Sequence, residues 1–226
     1  MKRLIIVCKG QTEQCFCEQV LAPYFLSQGI MLVAPVIKRS NGGIVPWQSL
    51  KQQLLMHLYE QDVLVSMLID YYGIKDSYHF PGWEEAKHFE NGVDKMNCLF
   101  QRMVEDFPME LKSRFVPYIQ LHEFEGLLFS DISTFKTNFD AKECDFDAIE
   151  SAMDGFASPE DINNTPETAP SSRLKRAIQG YDKVVYGSIL AEELGLKVIR
   201  EKCPIFNSWI ERIEEKVFYG SNKDKD

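Results

Sequence analysis

No two of the six cysteines form a CxxC pair, which removes the usual ligand spacing of a structural zinc site. Most of Cys8, Cys15, Cys17, Cys98, Cys144 and Cys203 are therefore expected to be small buried hydrophobes in a reducing compartment. No apolar run approaches the roughly 20 residues that span a bilayer. After Lys2 and Arg3 come only five apolar residues, too few for a signal peptide. No membrane partner is expected, and the cytoplasm is the expected location. Internal repeats and low-complexity segments are missing too. Positive charge is scarce: the formal net charge of −9 argues against a general basic surface that coats DNA. It leaves room for a nuclease, in which a bound metal supplies local positive charge.

At 226 residues the chain suits one domain, or one domain with an appended subdomain. The run Leu4-Ile5-Ile6-Val7 stops at Cys8-Lys9-Gly10, the signal of a buried strand feeding a tight turn. Thr12 and Glu13 suit the start of a helix that runs to about Ser27. Pro23 kinks that helix or begins its last turn. Ile30–Ile37 reads as a second strand, Trp47–Glu60 as a helix, and Val63–Ile69, ending at Asp70, as a third strand. An aromatic loop follows, then a helix over about 85–105, a strand over Val116–Leu121, and a stretch from His122 to Phe129 that turns into a helix.

Strand and helix alternate at a spacing that predicts an α/β fold with a mainly parallel central sheet of about four strands and right-handed crossovers. Residues 1–134 form the expected α/β core, and 135–226 a helical C-terminal part packed on it. Between Asp140 and Asp161 stand eight acidic residues against one lysine, the pattern of a solvated face. Ser171 or Ser172 is placed to cap a helix beginning at Pro170. Phe206, Trp209, Ile210 and Ile213 share one helical stripe, read as core or partner contact.

Three strand tips carry acids: Glu13 after the first, Asp70 after the third, and Glu123 and Glu125, with His122, after the fourth. In a parallel sheet these tips share one edge, so distant carboxylates can converge. Converging carboxylates are what Mg²⁺ or Mn²⁺ needs, and two such ions support phosphodiester cleavage. Each acid also has an ordinary reading, as a helix-start, turn or solvent-facing residue. Lys9-Gly10-Gln11-Thr12 is not a phosphate loop of the Walker type, because the lysine precedes the glycine and the first glycine is missing. Arg173, Lys175, Arg176 and Lys183 make a local basic excess suited either to bind phosphate or to offset the acidic stretch.

The stretch VCKGQTEQ resembles the EGxTE opening of Toprim domains, especially those of overcoming-lysogenization-defect nucleases. Taken with LIDYYG, LHEFEGLLF, APSSRLKRAIQGYDKVVYG and CPIFNSWI, the chain is similar over nearly its whole length to a Toprim-like bacterial domain-of-unknown-function family, family 4276. The resemblance implies a Toprim-like fold, a divalent metal (Mg²⁺ or Mn²⁺), nucleic acid as substrate and an ABC-type or AAA-type ATPase as partner in phage defence. Glu13 matches the second acid of the opening motif, Asp70 the first of the DxD pair, and Glu123 or Glu125 a later acid. Lys9 stands where these enzymes have their first glutamate, and Tyr72 where the pair has its second aspartate. Two readings stay open. In one, Glu13, Asp70 and Glu123 or Glu125 hold metal while Lys9 and Arg173 contact phosphate in a nuclease or phosphotransfer subunit. In the other, Lys9 pairs with Glu13 or Asp70 and closes a degenerate site in a regulatory or recognition subunit.

Overall fold

The computed structural model describes residues 2–38, 40, 43–163 and 165–218. Five strands form one parallel sheet: β1 (Lys2–Cys8), β2 (Ile30–Val33), β3 (Val63–Asp70), β4 (Phe115–Val116) and β5 (Ile119–Gln120). Their order is β2-β1-β3-β4, with β5 also pairing to β3. The two long strands, β1 and β3, are central and align Arg3 with Val63 through Cys8 with Leu68. Leu4–Cys8 of β1 and most of β3 are apolar and buried on both faces, as helix-covered parallel strands require. The tips of β1, β3 and β5 therefore lie along one edge.

Prolines cut three expected elements short. The first helix divides into Gln11–Phe16, a π-turn over Cys17–Leu21, and Ala22–Ser27. Pro23, in the first turn of the last piece, has no N–H to continue the ladder, and Ala22 N–H reaches back five residues to the carbonyl of Cys17. The second strand ends at Val33 rather than Ile37; beyond it Cys8 N donates to Pro35 O and Ile37 N to Cys8 O. Pro117 splits the expected fourth strand into β4 and β5.

The expected 85–105 helix is also two. Trp83–Ala86 is one short turn, and Gly92–Glu105 starts afresh where the Asn91 side chain accepts from the N–H groups of Val93 and Asp94. After β5 the chain winds as a 3₁₀ helix over Phe124–Ser130. Neither serine caps the Pro170–Ala177 helix as expected: Ala169 is the cap residue, and Glu123 accepts from the N–H of Ser171.

Two long helices close the chain. Lys183–Lys202 is capped by Asp182, breaks at Gly195 (φ +71°), and packs on Gln11–Phe16 and on Phe124–Ser130. Pro204–Phe218 packs on β3 and β4, where Trp209 Nε1 donates to Ser66 Oγ at 2.8 Å. The stripe of Phe206, Trp209, Ile210 and Ile213 is core. Its anchor is Tyr118, whose ring stacks on Trp209 at 4.4 Å between centroids. One apolar core runs through both parts of the chain. Among the described residues no helix is long and apolar enough to cross a membrane, and all six cysteines are free, with Cys15 and Cys98 only half-buried.

Most of the 140–161 acids do face solvent, but Glu160 does not. It is 1% exposed and accepts from the N–H groups of Ile205 and Phe206, at 2.8 and 3.0 Å, so it caps the last helix from outside it.

Candidate functional site

The tips of β1 and β3 bring Lys9, Glu13 and Asp70 together. Glu13 is 1% and Asp70 3% exposed, so neither charge is solvated by water. The Lys9 ammonium compensates both: it donates a hydrogen bond to Asp70 Oδ2 and stands 2.9 Å from Glu13 Oε1. Burial disfavours the ammonium, yet the two carboxylates outweigh that and hold the Lys9 pKa above its ordinary value. The other oxygen of Asp70 accepts from Phe124 N at 3.1 Å, which ties the 124–130 turn to the tip of β3. Phe16 reinforces this joint with edge-on contacts to Phe124 and Phe206.

That turn delivers Glu125, which has no solvent exposure at all. Its cation is Lys183, 2.6 Å from Oε1. The two form a close ion pair, and beyond it neither oxygen of Glu125 has a hydrogen-bond partner among the described residues. Burial pushes the Glu125 carboxyl up, with Lys183 opposing. Lys183 loses by burial and by the like charge of Lys9, and gains more from Glu125 and Asp70, with a net rise. A lysine in the first turn of a helix is wrong-signed for the helix dipole. Glu125 is what makes Lys183 tolerable there. Beside them the Tyr181 hydroxyl is buried with no hydrogen-bond partner among the described residues, and burial, then Glu125, raises its pKa.

Glu123 and Glu125 separate, as alternating residues of a turn should: Glu123 caps the 170–177 helix through Ser171 N at 3.0 Å. His122 adopts φ +68°, a left-handed conformation that costs a non-glycine residue about 1–3 kcal/mol. Its Nδ1 lies 3.1 Å from the side-chain nitrogen of Asn163, and burial lowers its pKa, which together describe a neutral imidazole.

The basic stretch does not act as one. Only Lys183 reaches the strand tips. Arg173 donates to Thr168 O and lies over the Phe156 ring; Arg176 donates to the carbonyls of Ser172 and Glu167. Lys175 and Arg176 line a separate hollow beside residues 141–147. Sequence reasoning missed Tyr181 and Gly187. The second is needed because a Cβ there would stand 3.3 Å from Thr12 Cγ2, where the 183–202 helix crosses the VCKGQTEQ segment. The cue for both was the Gly-Tyr-Asp-Lys helix start at 180–183.

The divalent ion implied by the resemblance does not fit this arrangement. The oxygens of Asp70, Glu13 and Glu125 face ammoniums, and no group of three or more His, Cys, Asp or Glu side chains among the described residues is disposed to hold a metal. The positive charge beside these carboxylates comes from two lysines.

In front of Lys9 and Lys183 lies a hollow of about 660 Å³, also lined by Gly10–Glu13, Val36, Ile37, Ser40 and Val184. No curated protein and no solved structure matches the chain. The model of the family described as Domain of unknown function (DUF4276) matches residues 8–214, and the chain belongs to that family.

Proposed function

We propose that this chain is a Toprim-like subunit that has given up metal-dependent cleavage and serves recognition or regulation beside an ATPase partner. One observation carries the reading: the Lys9 ammonium bridges Glu13 and Asp70, occupying the oxygens a divalent ion would need. A metal would have to displace a cation already held by two buried carboxylates. The test is calorimetric titration of Mg²⁺ and Mn²⁺ into the wild type and Asp70→Asn, with plasmid cleavage assayed on the same samples. No saturable binding and no cleavage is the expected result in both. Metal binding with cleavage in the wild type, both lost in Asp70→Asn, would sink the proposal.

That outcome would instead favour the second reading, a Mg²⁺- or Mn²⁺-dependent nuclease or phosphotransfer subunit acting in phage defence. Its support is Glu125, a buried carboxylate whose two oxygens lack hydrogen-bond partners among the described residues.

A further inference from the structure

We propose that the hollow at the tip of β1 binds a phosphate monoester group, gripped between Lys9 and Lys183. The proposal rests on the reading of a metal-free site and names the ligand class it takes.

Hydrogen-bond accounting points this way. An ammonium has three N–H donors. Lys9 directs one at Asp70 and spends at most a second on Glu13, 2.9 Å away, while Lys183 spends at most one on Glu125, 2.6 Å away. Both residues line the same hollow, so both keep donors to turn toward an acceptor placed in it. Of the compensating carboxylates, Asp70 and Glu125 lie behind the lysines and do not line the hollow; Glu13 alone is on the wall. The wall thus presents two ammoniums and one carboxylate.

A phosphate monoester is a dianion near neutral pH with three acceptor oxygens, enough to engage both ammoniums at once. Thr12 lines the same wall, and a threonine hydroxyl can donate to a phosphate oxygen. At about 660 Å³ the hollow has the volume of an ordinary small-molecule pocket and accepts a group the size of a mononucleotide.

The weak point of the grip is also its signature. Glu125 competes with any anion for Lys183, because the two already form an ion pair at 2.6 Å. Removing the charge of Glu125 while keeping its shape should therefore strengthen anion binding, which a purely structural ion pair would not do.

The experiment is calorimetric titration of the full chain in EDTA. The titrants are inorganic phosphate, a 5′-mononucleotide, and one oligonucleotide with and without a 5′-phosphate. Saturable binding of phosphate and the mononucleotide is expected, weakened about tenfold or more in Lys183→Gln, the loss of roughly one charge-assisted contact. Glu125→Gln should bind several-fold more tightly; it keeps the site filled and guards against a Lys183 variant that merely misfolds. Binding of the 5′-phosphorylated oligonucleotide but not its bare counterpart would place the phosphate at a nucleic-acid end; binding of the mononucleotide alone would place it on a small molecule. The proposal is overturned if no phosphate-bearing titrant binds, if the bare oligonucleotide binds equally well, or if neither substitution changes affinity. Because EDTA excludes metal, this result is independent of the Mg²⁺ titration, and either reading can fall alone.

Discussion

The ammonium of Lys183 stands 2.6 Å from a carboxylate, Glu125, that touches no solvent. The pair joins the turn after β5 to the first residue of the 183–202 helix, and with Lys9, Glu13 and Asp70 it makes one charge cluster across the strand tips.

Cutting that pair should be costly. Lys183→Met is expected to destabilise the fold by about 3 kcal/mol, the low end for breaking a buried ion pair, because Glu125 can shed its charge by taking up a proton. Adding Glu125→Gln should recover most of the loss. Urea denaturation of both variants decides it: a cost below about 0.5 kcal/mol would be that of a surface pair.

Lys9→Glu reverses the central cation and should turn the tip into a set of converging carboxylates. Thermal melting of this variant should rise with added Mn²⁺, while the wild type stays unmoved. An ion present at 100 times its Kd adds about 2.7 kcal/mol. A variant indifferent to Mn²⁺ would mean that Glu13 and Asp70 are not disposed to share an ion.

Glu160 makes stability depend on pH. Burial raises its carboxyl from 4.5 to about 7, against the pull of the Ile205 and Phe206 N–H groups toward the charged form. Between those values the native chain keeps a proton that the unfolded chain releases. Its contribution is complete below pH 4.5 and disappears as pH rises through 7, a change on the order of 3 kcal/mol. Glu160→Gln should remove this slope even if it is less stable overall. Denaturation at pH 5 and pH 8 on both proteins would show equal slopes if Glu160 is not the group.

Gly126 sits where a Cβ would meet the carbonyl oxygen of Pro159 at 3.0 Å. Backbone cannot step aside as a flexible side chain can, so Gly126→Ala should cost about 1–3 kcal/mol. Urea denaturation checks it: unchanged stability would show that the turn has room.

Much of the fold is legible in composition alone. Leu4–Val7 is a continuous apolar run and Val63–Ile69 one broken only by Ser66, because both faces of β1 and β3 are covered, and Gly10 and Asp70 mark where they end. Lys9, Glu13 and Asp70 follow from that, since they sit on or beside the strand ends. Pairing between distant segments does not: nothing local to Glu125 says that Lys183 will meet it, because the meeting depends on how the 183–202 helix docks on the VCKGQTEQ segment. Glu160 misleads for a related reason. Among seven other acids it reads as solvated, and only the arrival of the 204–218 helix N-terminus gives it a buried role. Pro23, Pro35 and Pro117 were visible, but hydrophobic periodicity runs through a proline where the backbone ladder cannot.

The division of the cluster between two stretches of chain bears on how the protein is made. Lys9, Glu13, Asp70 and Glu125 are all synthesised before Lys183. Until the 183–202 helix docks, three of the tip's charges are acids and only one is basic, an edge that repels itself and draws water. The last two helices therefore do more than cover the core. The arrival of the 183–202 helix adds a second cation to the edge, so a ribosome-bound or truncated chain displays a different electrostatic face from the finished one.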